Sequence, residues 1–248
     1  LVQSETVVPP EVLFSDYLYA SSTSASFRAH FSGLVDYLCQ KWHIMPGAKV
    51  VEIGSNDGVL LKPLSEQGFA VIGVEPAERL VALATKQRLS TINDFFSRRV
   101  VEQIGPHIAD VVVACNVFAH IEDLYETIEN VKFLLKPNGI FIIEVQYFAD
   151  TIRDLTFDNI YLEHIYYWTP ASLVQCFDSM DLMILDAQRI NTHGGSLRVT
   201  AIDNESYRST PNRLPDMQNI FFILNEEEKQ GITKLETYTQ FAQRVQQA

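Results

Sequence analysis

The sequence predicts an α/β fold in which helices flank a doubly wound parallel sheet. Between residues 49 and 146, short apolar segments typical of buried strands alternate with amphipathic segments of helical period. The connections between these segments are short, as they are in repeated β-α-β units. A length of 248 residues and a hydrophobic content of 47% allow one main domain with attached segments.

The regular part of the pattern contains strands and helices in alternation. The predicted strands are residues 49–53, 70–75, 90–92, 110–114 and 139–146. The predicted helices are residues 26–42, 59–67, 76–87, 97–104 and 124–135. Ser24 has the residue type and position of an N-cap for the first helix, and the sequence KPNG is a turn that closes the last one.

The pattern becomes less regular after residue 146. A helix is predicted at residues 169–180, followed by strands at residues 182–189 and 197–203. The Gly-Gly pair between these strands predicts a hairpin that completes the sheet. Residues 204–215 have the composition of a linker, and residues 225–247 are predicted to form a polar helix.

The charge balance argues against a nucleic acid partner. The chain has 19 basic and 31 acidic residues, for a formal net charge of -12. Its longest basic run is the pair Arg98 and Arg99. Binding to a phosphate backbone depends on clustered Lys and Arg side chains, which this sequence lacks.

The apolar segments are too short to predict a membrane partner. No apolar run reaches the roughly 20 residues that cross a bilayer, and the N-terminal stretch does not have the order of a signal peptide. We therefore expect a soluble, cytoplasmic protein. The chain begins without an initiator methionine and ends within a helical pattern, so we also expect a fragment of a larger protein.

The three cysteines match neither a disulfide framework nor a metal site. Cys39, Cys115 and Cys176 are far apart in the sequence and are surrounded by apolar residues. We expect small buried hydrophobic side chains at these positions, and we predict no metal site.

A glycine-containing loop joins the first predicted strand to the helix that follows it. Gly54 and Gly58, in the sequence GSNDG, allow the backbone to turn sharply and to approach a ligand closely. Glu75 ends the second strand about twenty residues later, where an acid can accept hydrogen bonds from two ribose hydroxyls. This arrangement predicts a site for a cofactor that contains a nucleoside.

The charges near the loop favour S-adenosyl-L-methionine over a dinucleotide. Asp57 lies at the start of the helix, Glu52 is near the end of the strand, and the glycine spacing is GxxxG rather than GxGxxG. Two carboxylates would repel a pyrophosphate but suit a sulfonium and an amino group. A dinucleotide site, or a glycine turn with solvated acids, is the alternative.

The loop resembles that of the class I S-adenosylmethionine-dependent methyltransferase family, whose ExGxxxG signature is matched by Glu52, Gly54 and Gly58. The resemblance implies a seven-stranded Rossmann-like sheet with an N-terminal helical extension and a C-terminal helix. It also implies a set of cofactor-binding residues: Glu52, Gly54, Asn56, Asp57, Gly58, Glu75, Pro76, Asp94, Phe95, Asn116 and Val117.

Two parts of that set have distinct implied roles. By the resemblance, Asp94 and Phe95 border the adenine, while Asn116 and Val117 approach the methionine part or the ring. His120 follows in the same loop, and its role stays open between a substrate contact and a core or helix-capping histidine.

Three segments outside the predicted cofactor-binding region resemble a narrower group, the sugar C-methyltransferases that act on nucleotide-linked 4-keto-6-deoxyhexoses. They are PPEVLFSDYLYASSTS at residues 9–24, YLEHIYYW at residues 161–168 and HGGSLR at residues 193–198. The resemblance implies deoxysugar biosynthesis, with a methyl group placed on the carbon next to the ketone. Full-length members also have a zinc-binding segment and a further C-terminal domain, neither of which is complete here.

Methylation at carbon requires a base that removes a proton next to a carbonyl and a group that stabilises the enolate. His164 is the strongest candidate base, because a histidine in water has a pKa of about 6.5. By the resemblance, Tyr161 and Glu163 position the sugar, orient the imidazole or stabilise the enolate. The alternative is a packed lid, a role that we expect for Tyr166–Trp168.

Further substrate contacts are expected in two segments. In HGGSLR, Gly194 brings backbone close to the sugar, His193 binds it or acts as a second acid or base, and Arg198 pairs with a phosphate. A hairpin turn with a solvated arginine is the alternative. Near the start of the chain, Tyr17, Tyr19 and Ser22 are expected to cover the cofactor or the sugar.

The predicted organisation has three parts, and the leading function has two competitors. Residues 1–45 form an extension with a helix that covers the active site, residues 46–203 form the methyltransferase domain, and residues 204–248 form a linker and the start of a C-terminal region.

The leading hypothesis is a sugar C-methyltransferase with a small-molecule substrate. The competitors are an O- or N-methyltransferase of another metabolite and a non-catalytic binding module. The oligomeric state stays open.

Overall fold

The computed structural model describes residues 1–5, 8–192, 194–209 and 213–247. The strands are β1 (Lys49–Ile53), β2 (Ala70–Glu75), β3 (Thr91–Asn93), β4 (Ala109–Cys115), β5 (Leu135–Gln146), β6 (Leu182–Ile190) and β7 (Ser196–Asp203). The helices are α1 (Pro10–Phe14), α2 (Ala25–Trp42), α3 (Leu61–Glu66), α4 (Glu78–Lys86), α5 (Arg98–Ile104), α6 (Leu124–Leu134), α7 (Phe148–Asp154), α8 (Pro170–Asp178), α9 (Asn204–Ser209), α10 (Met217–Gln230) and α11 (Leu235–Gln247). Short 3-10 helices form at Ser21–Thr23 and Phe157–Asn159.

The strands form a seven-stranded sheet in the order β3-β2-β1-β4-β5-β7-β6. β1 runs parallel to β2 and β4, and β2 runs parallel to β3. β6 and β7 pair antiparallel, with Arg189 opposite Leu197. The structure therefore confirms the α/β fold class, the parallel arrangement of these early strands and the final hairpin.

The chain divides into two compact units whose boundaries differ from the three predicted segments. We call Val8–Cys115 with Asp123–Phe141 the glycine-loop unit. We call Leu1–Val7, Asn116–Glu122 and Ile142–Ala248 together the aromatic unit. Residues 204–248, predicted as a linker and the start of another region, thus group with the aromatic segment.

The glycine-loop unit has a core of β-branched and leucine side chains. Val50 and Val51 of β1 and Val112 of β4 are fully buried, because a strand with neighbours on both sides and helices on both faces is apolar throughout. Ser24 is the N-cap of α2, as predicted, and its hydroxyl accepts from the Phe27 N–H at 3.4 Å.

The aromatic unit has a core of packed aromatic rings. The Phe118 ring lies 5.5 Å from Trp168 and 5.8 Å from Phe177, with all three side chains buried. Ring centroids at 4.5 to 7 Å are the preferred separation for aromatic pairs. Trp168 thus performs the packing role that was expected for the end of YLEHIYYW.

Three local predictions were wrong. The KPNG turn lies within the long strand β5, with Asn138 in the left-handed region at φ 66. The predicted linker contains α9, and the single helix predicted at residues 225–247 is two helices. The break follows Gln230 because Gly231 adopts φ 66, the left-handed conformation that ends many helices.

Within the described residues, no helix is long and apolar enough to cross a membrane. In that same part of the chain, no group of three or more His, Cys, Asp or Glu side chains is arranged to hold a metal ion. Cys115 is buried, and Cys39 and Cys176 are partly buried.

Candidate functional site

The glycine loop, residues 54–58, lies between β1 and α3 in the glycine-loop unit. Gly54 (φ 65), Asn56 (φ 50) and Gly58 (φ 84) all adopt left-handed backbone conformations. Glycine adopts these freely, and asparagine is among the few other residues that tolerate them. The Gly54 N–H donates to the Val74 carbonyl at 2.8 Å, so the loop is fixed against the last residues of β2.

The carboxylate of Glu75 is bound on both oxygens by backbone groups. Its Oε2 accepts from the Asn56 N–H at 2.9 Å, and its Oε1 accepts from the Ala77 N–H at 2.9 Å. Burial raises the pKa of Glu75, and these two hydrogen bonds oppose that rise. The geometry holds the carboxylate in one orientation, while each oxygen keeps a second lone pair able to accept a ligand hydroxyl.

Two more acids of the unit are buried in the same region of sequence. Glu52 and Asp57 are each only 2% exposed. The Asp57 carboxylate accepts from the Ser22 hydroxyl at 2.5 Å and from the Ser22 N–H at 3.2 Å. The end of β1 and the glycine loop therefore bring two carboxyl groups near one another in sequence, an arrangement that fits a cationic group and disfavours a pyrophosphate.

The residues that follow β2 and β3 also come together. The Asp94 N–H donates to the Glu75 carbonyl at 3.2 Å, and the Asp94 carboxylate accepts from the Phe95 N–H at 2.9 Å and pairs with Arg99. The Pro76 carbonyl accepts from the Asn93 amide at 2.8 Å. Asn93, which sequence reasoning missed, thus fixes the backbone beside Glu75.

The two predicted cofactor residues after β4 belong to the aromatic unit. Asn116 is left-handed at φ 57, and its N–H donates to the Glu144 carbonyl at 2.8 Å. The Val117 carbonyl accepts from the His120 N–H at 2.8 Å. A turn therefore directly follows the strand, as the pattern of residues 116–121 suggested.

His164 has a defined tautomer. Its Nδ1 lies 2.9 Å from the Asn159 carbonyl oxygen. A carbonyl only accepts hydrogen bonds, so Nδ1 carries the proton and a neutral ring has its lone pair on Nε2. Fixing one imidazole nitrogen in this way orients the other for proton transfer.

Aromatic side chains surround the His164 ring. Ring centroids of Tyr161, His120 and Tyr167 lie 4.3, 5.1 and 6.0 Å from it. Tyr161 is 43% exposed, whereas Glu163 is partly buried and burial raises its pKa. The structure thus brings the rings of Tyr161 and His164 into contact. Glu163 directly precedes His164 in the sequence, and no hydrogen bond of its side chain is found among the described residues.

His120 is a second histidine of this cluster. Burial, and then the neighbouring His164, lower the pKa of His120 to about 3, so the ring is neutral at physiological pH. The Ala119 carbonyl beside it accepts from the N–H groups of Ile165 and Tyr166 at 2.9 and 3.1 Å. These bonds fix the His120 loop to the YLEHIYYW segment, and they were not foreseeable from either segment alone.

The predicted substrate residues of HGGSLR lie in different surroundings. Arg198 is buried and bound to Glu144, with Nη2 and Nε at 2.6 and 2.7 Å from Oε1. Its guanidinium is therefore buried in an ion pair rather than solvated. Gly194 is left-handed at φ 76, with open space where a side chain would be, and His193 lies outside the described residues.

The two predicted tyrosines of the N-terminal segment lie in the glycine-loop unit. The Tyr19 carbonyl accepts from the Asn56 side-chain amide at 3.0 Å, while the Tyr19 side chain is 46% exposed. The Tyr17 ring lies 6.1 Å from Phe14. Tyr19 is thus joined to the glycine loop through its backbone, and Tyr17 packs on α1.

Known proteins match the chain along nearly its whole length. A protein-family model described as a methyltransferase domain matches residues 27–187, and a second family model, described as a C-methyltransferase C-terminal domain, matches residues 191–248. The C-methyltransferase NovU of Streptomyces niveus is 34% identical over 95% of this chain and 55% of that protein. A ubiquinone biosynthesis O-methyltransferase of Bradyrhizobium diazoefficiens is 31% identical over 44% of this chain and 46% of that protein. The chain thus spans about half the length of these relatives.

The fold is also found in solved structures. The magnesium protoporphyrin IX methyltransferase ChlM of Synechocystis PCC 6803, solved with bound SAM, superposes with a TM-score of 0.54 at 17% identity, covering 71% of this chain and 79% of that one. That likeness concerns the fold alone. The family model covers more than half of the chain and agrees with the glycine loop and the sheet order. The chain belongs to the class I S-adenosylmethionine-dependent methyltransferase family.

Proposed function

We propose that this chain is the methyltransferase part of a C-methyltransferase, which methylates the carbon next to the ketone of a nucleotide-linked 4-keto-deoxy sugar through an enolate. The observation that carries the proposal is the tautomer of His164, whose Nδ1 donates to the Asn159 carbonyl at 2.9 Å. That arrangement suits a base that accepts a proton on Nε2. Support also comes from the similarity to the C-methyltransferase NovU, which extends over 95% of the chain.

The cofactor site that we propose is centred on the glycine loop and Glu75. The buried acids and the left-handed backbone fit S-adenosyl-L-methionine, which when bound supplies an electrophilic methyl group. Glu75 accepts hydrogen bonds from the ribose hydroxyls, and the glycines Gly54 and Gly58 allow the cofactor to approach the backbone closely. Asp94 and Phe95, which belong to the same unit, border the adenine.

In the proposed reaction His164 removes the proton next to the ketone. Its Nε2 accepts this proton, and the Asn159 carbonyl stabilises the resulting imidazolium through Nδ1–H. Tyr161 donates a hydrogen bond to the enolate oxygen, and Glu163 positions the sugar. The neutral His120 adds no positive charge that would oppose protonation of His164.

Proton removal and methyl transfer can be tested separately. With a thymidine-diphosphate 4-keto-6-deoxyhexose in deuterated water, we expect the protein to exchange the proton next to the ketone, as measured by NMR. His164→Asn should slow both exchange and methyl transfer by about 10² to 10⁴-fold, the usual contribution of a general base. Its affinity for S-adenosyl-L-methionine, measured by calorimetry, should be unchanged.

Tyr166→Phe is the matched control, because it alters the same segment at a hydroxyl that donates only weakly, at 3.3 Å, to the Glu122 carbonyl. We expect near-normal exchange from this variant. A His164→Asn protein that still methylates the sugar at a normal rate would remove His164 as the base. Methylation at oxygen or nitrogen, with no exchange at carbon, would favour the O- or N-methyltransferase alternative.

A further inference from the structure

A short N-terminal segment is bound to the glycine loop by consecutive contacts within one unit. We call residues 18–23 the strap. The Ser21 N–H donates to Asn56 Oδ1 at 2.9 Å, and the Asn56 amide donates back to the Tyr19 carbonyl at 3.0 Å. Next along the chain, the Ser22 hydroxyl donates to Asp57 Oδ2 at 2.5 Å, and the Ser22 N–H donates to the same carboxylate at 3.2 Å. Two adjacent strap residues therefore bind the side chains of two adjacent loop residues.

The strap is also fixed on its other sides. Arg79, in the first turns of α4, donates to the Leu18 carbonyl at 2.8 Å. Arg28, on α2, donates to the Ser22 carbonyl. The strap is thus bound to the helix that follows Glu75 and Pro76, as well as to the glycine loop.

These contacts continue through the loop to Glu75. Asn56 adopts φ 50, a left-handed conformation that asparagine tolerates better than most residues and that its hydrogen bonds help to hold. In this conformation its N–H reaches Glu75 Oε2 at 2.9 Å. Asn56 therefore binds the strap through its side chain and Glu75 through its backbone N–H. A movement of the strap would be passed on to the Glu75 carboxylate through this one residue.

We propose that Ser22 is a positioning residue of the cofactor site: by holding Asp57, it keeps the strap closed on the glycine loop, and the strap in turn holds Asn56 and Glu75 in their binding geometry. Asp57 then anchors the strap in addition to contributing negative charge to the cofactor site. The Ser22–Asp57 pair is strong for its size, since a hydroxyl at 2.5 Å from a carboxylate is a charge-assisted hydrogen bond. Closure of the strap and cofactor binding are therefore coupled and strengthen each other reciprocally.

Ser22→Ala tests the coupling. We expect this variant to bind S-adenosyl-L-methionine about tenfold more weakly in calorimetry, because a hydrogen bond to a charged group is lost. Ser22→Thr, which retains the hydroxyl, should restore the affinity. Ser26→Ala removes an exposed hydroxyl that lies 2.7 Å from Ser24 Oγ and touches no loop residue, so it should bind normally.

A double-mutant cycle separates positioning from general stability. Asp57→Ala and Ser22→Ala both remove the contact between the Ser22 hydroxyl and the Asp57 carboxylate, so the double variant should bind about as weakly as the Asp57→Ala variant alone. The free energy of unfolding without cofactor should fall much less than the binding free energy. Additive losses, or equal losses of unfolding and binding free energy, would overturn the proposal.

The inference rests on the assignment of Glu75 to the cofactor site, and one variant distinguishes the two failures. If Glu75→Gln loses affinity while Ser22→Ala does not, the strap inference alone is wrong. If neither variant loses affinity, the glycine loop is not the cofactor site.

Discussion

At the scale of one residue, Gly195 shows why the HGGSLR segment needs a glycine at its third position. Its φ is 124, and a Cβ at this position would overlap the carboxylate of Asp150. Asp150 does not easily move, because Arg189 and Arg153 each bind its Oδ1 at 2.6 Å. Gly194 differs, since a side chain there would meet nothing within 4 Å.

We expect Gly195→Ala to lower the free energy of unfolding by about 3 kcal/mol, because the backbone strain and the overlap add. Gly194→Ala carries only the left-handed strain and should cost about 1 kcal/mol. Urea denaturation of both variants measures the difference. Equal losses would show that the overlap with Asp150 is relieved by a small shift.

Arg198 is a residue whose surroundings the sequence did not reveal. In a hairpin strand an arginine is usually solvated, but β7 is buried along most of its length and Glu144 supplies the counter-charge from 54 residues away. Local patterns carry no information about such a distant partner. The position of Arg198 in the motif was therefore recognisable, and its environment was not.

Arg198→Met should destabilise the protein by about 3 to 5 kcal/mol, because it leaves the Glu144 carboxylate buried and unpaired. The double variant Arg198→Met, Glu144→Met should recover much of that loss, as two apolar side chains pack together. Thermal or urea unfolding gives both values. A variant with normal stability but weak binding of the nucleotide sugar would instead favour the phosphate role.

At the scale of elements, the parts that could be predicted were those specified locally. β1, the glycine loop and β2 followed from an apolar run, a glycine pair and an acid at fixed spacing, and the structure has them at the predicted positions. The sequence pattern predicted one helix where the structure has α10 and α11, because Gly231 was not recognised as the end of a helix. The strap and the His120 loop depend on contacts between distant segments, which periodicity does not encode.

The break between α10 and α11 is a testable property of one glycine. Gly231 has φ 66, and a Cβ there would lie 3.2 Å from Thr237 Oγ1. We expect Gly231→Ala to lower the free energy of unfolding by about 1 kcal/mol, with helical content by circular dichroism unchanged. A rise in stability would mean that the two helices can join into one.

At the scale of the whole molecule, buried titratable groups make stability depend on pH in two opposing ways. Burial raises the pKa of Glu75, Glu163 and Glu227 above their ordinary 4.5, so the native state holds protons that the unfolded state has lost. Their contribution to stability is lost as pH rises from 4.5 through the raised values. His120 acts oppositely: with its pKa lowered from 6.5 to about 3, its contribution is lost as pH falls through that window.

His120→Gln should isolate the second effect. We expect the free energy of unfolding of this variant to fall less steeply than that of the native protein between pH 6.5 and 3, because no imidazole then gains a proton on unfolding. Urea titrations at pH 4, 5, 6 and 7 measure both slopes. Parallel slopes would show that the pKa of His120 is the same in the folded and the unfolded protein.

The hydrogen bond between His164 and Asn159 joins residues only five positions apart. The proton on Nδ1 is therefore assigned by the local turn, and no distant part of the molecule has to be in place for it. If the segment shifts when ligands arrive, the imidazole travels with its own partner and keeps the same nitrogen basic. Ring ¹⁵N chemical shifts of His164 should accordingly report the Nδ1–H form both before and after the cofactor binds.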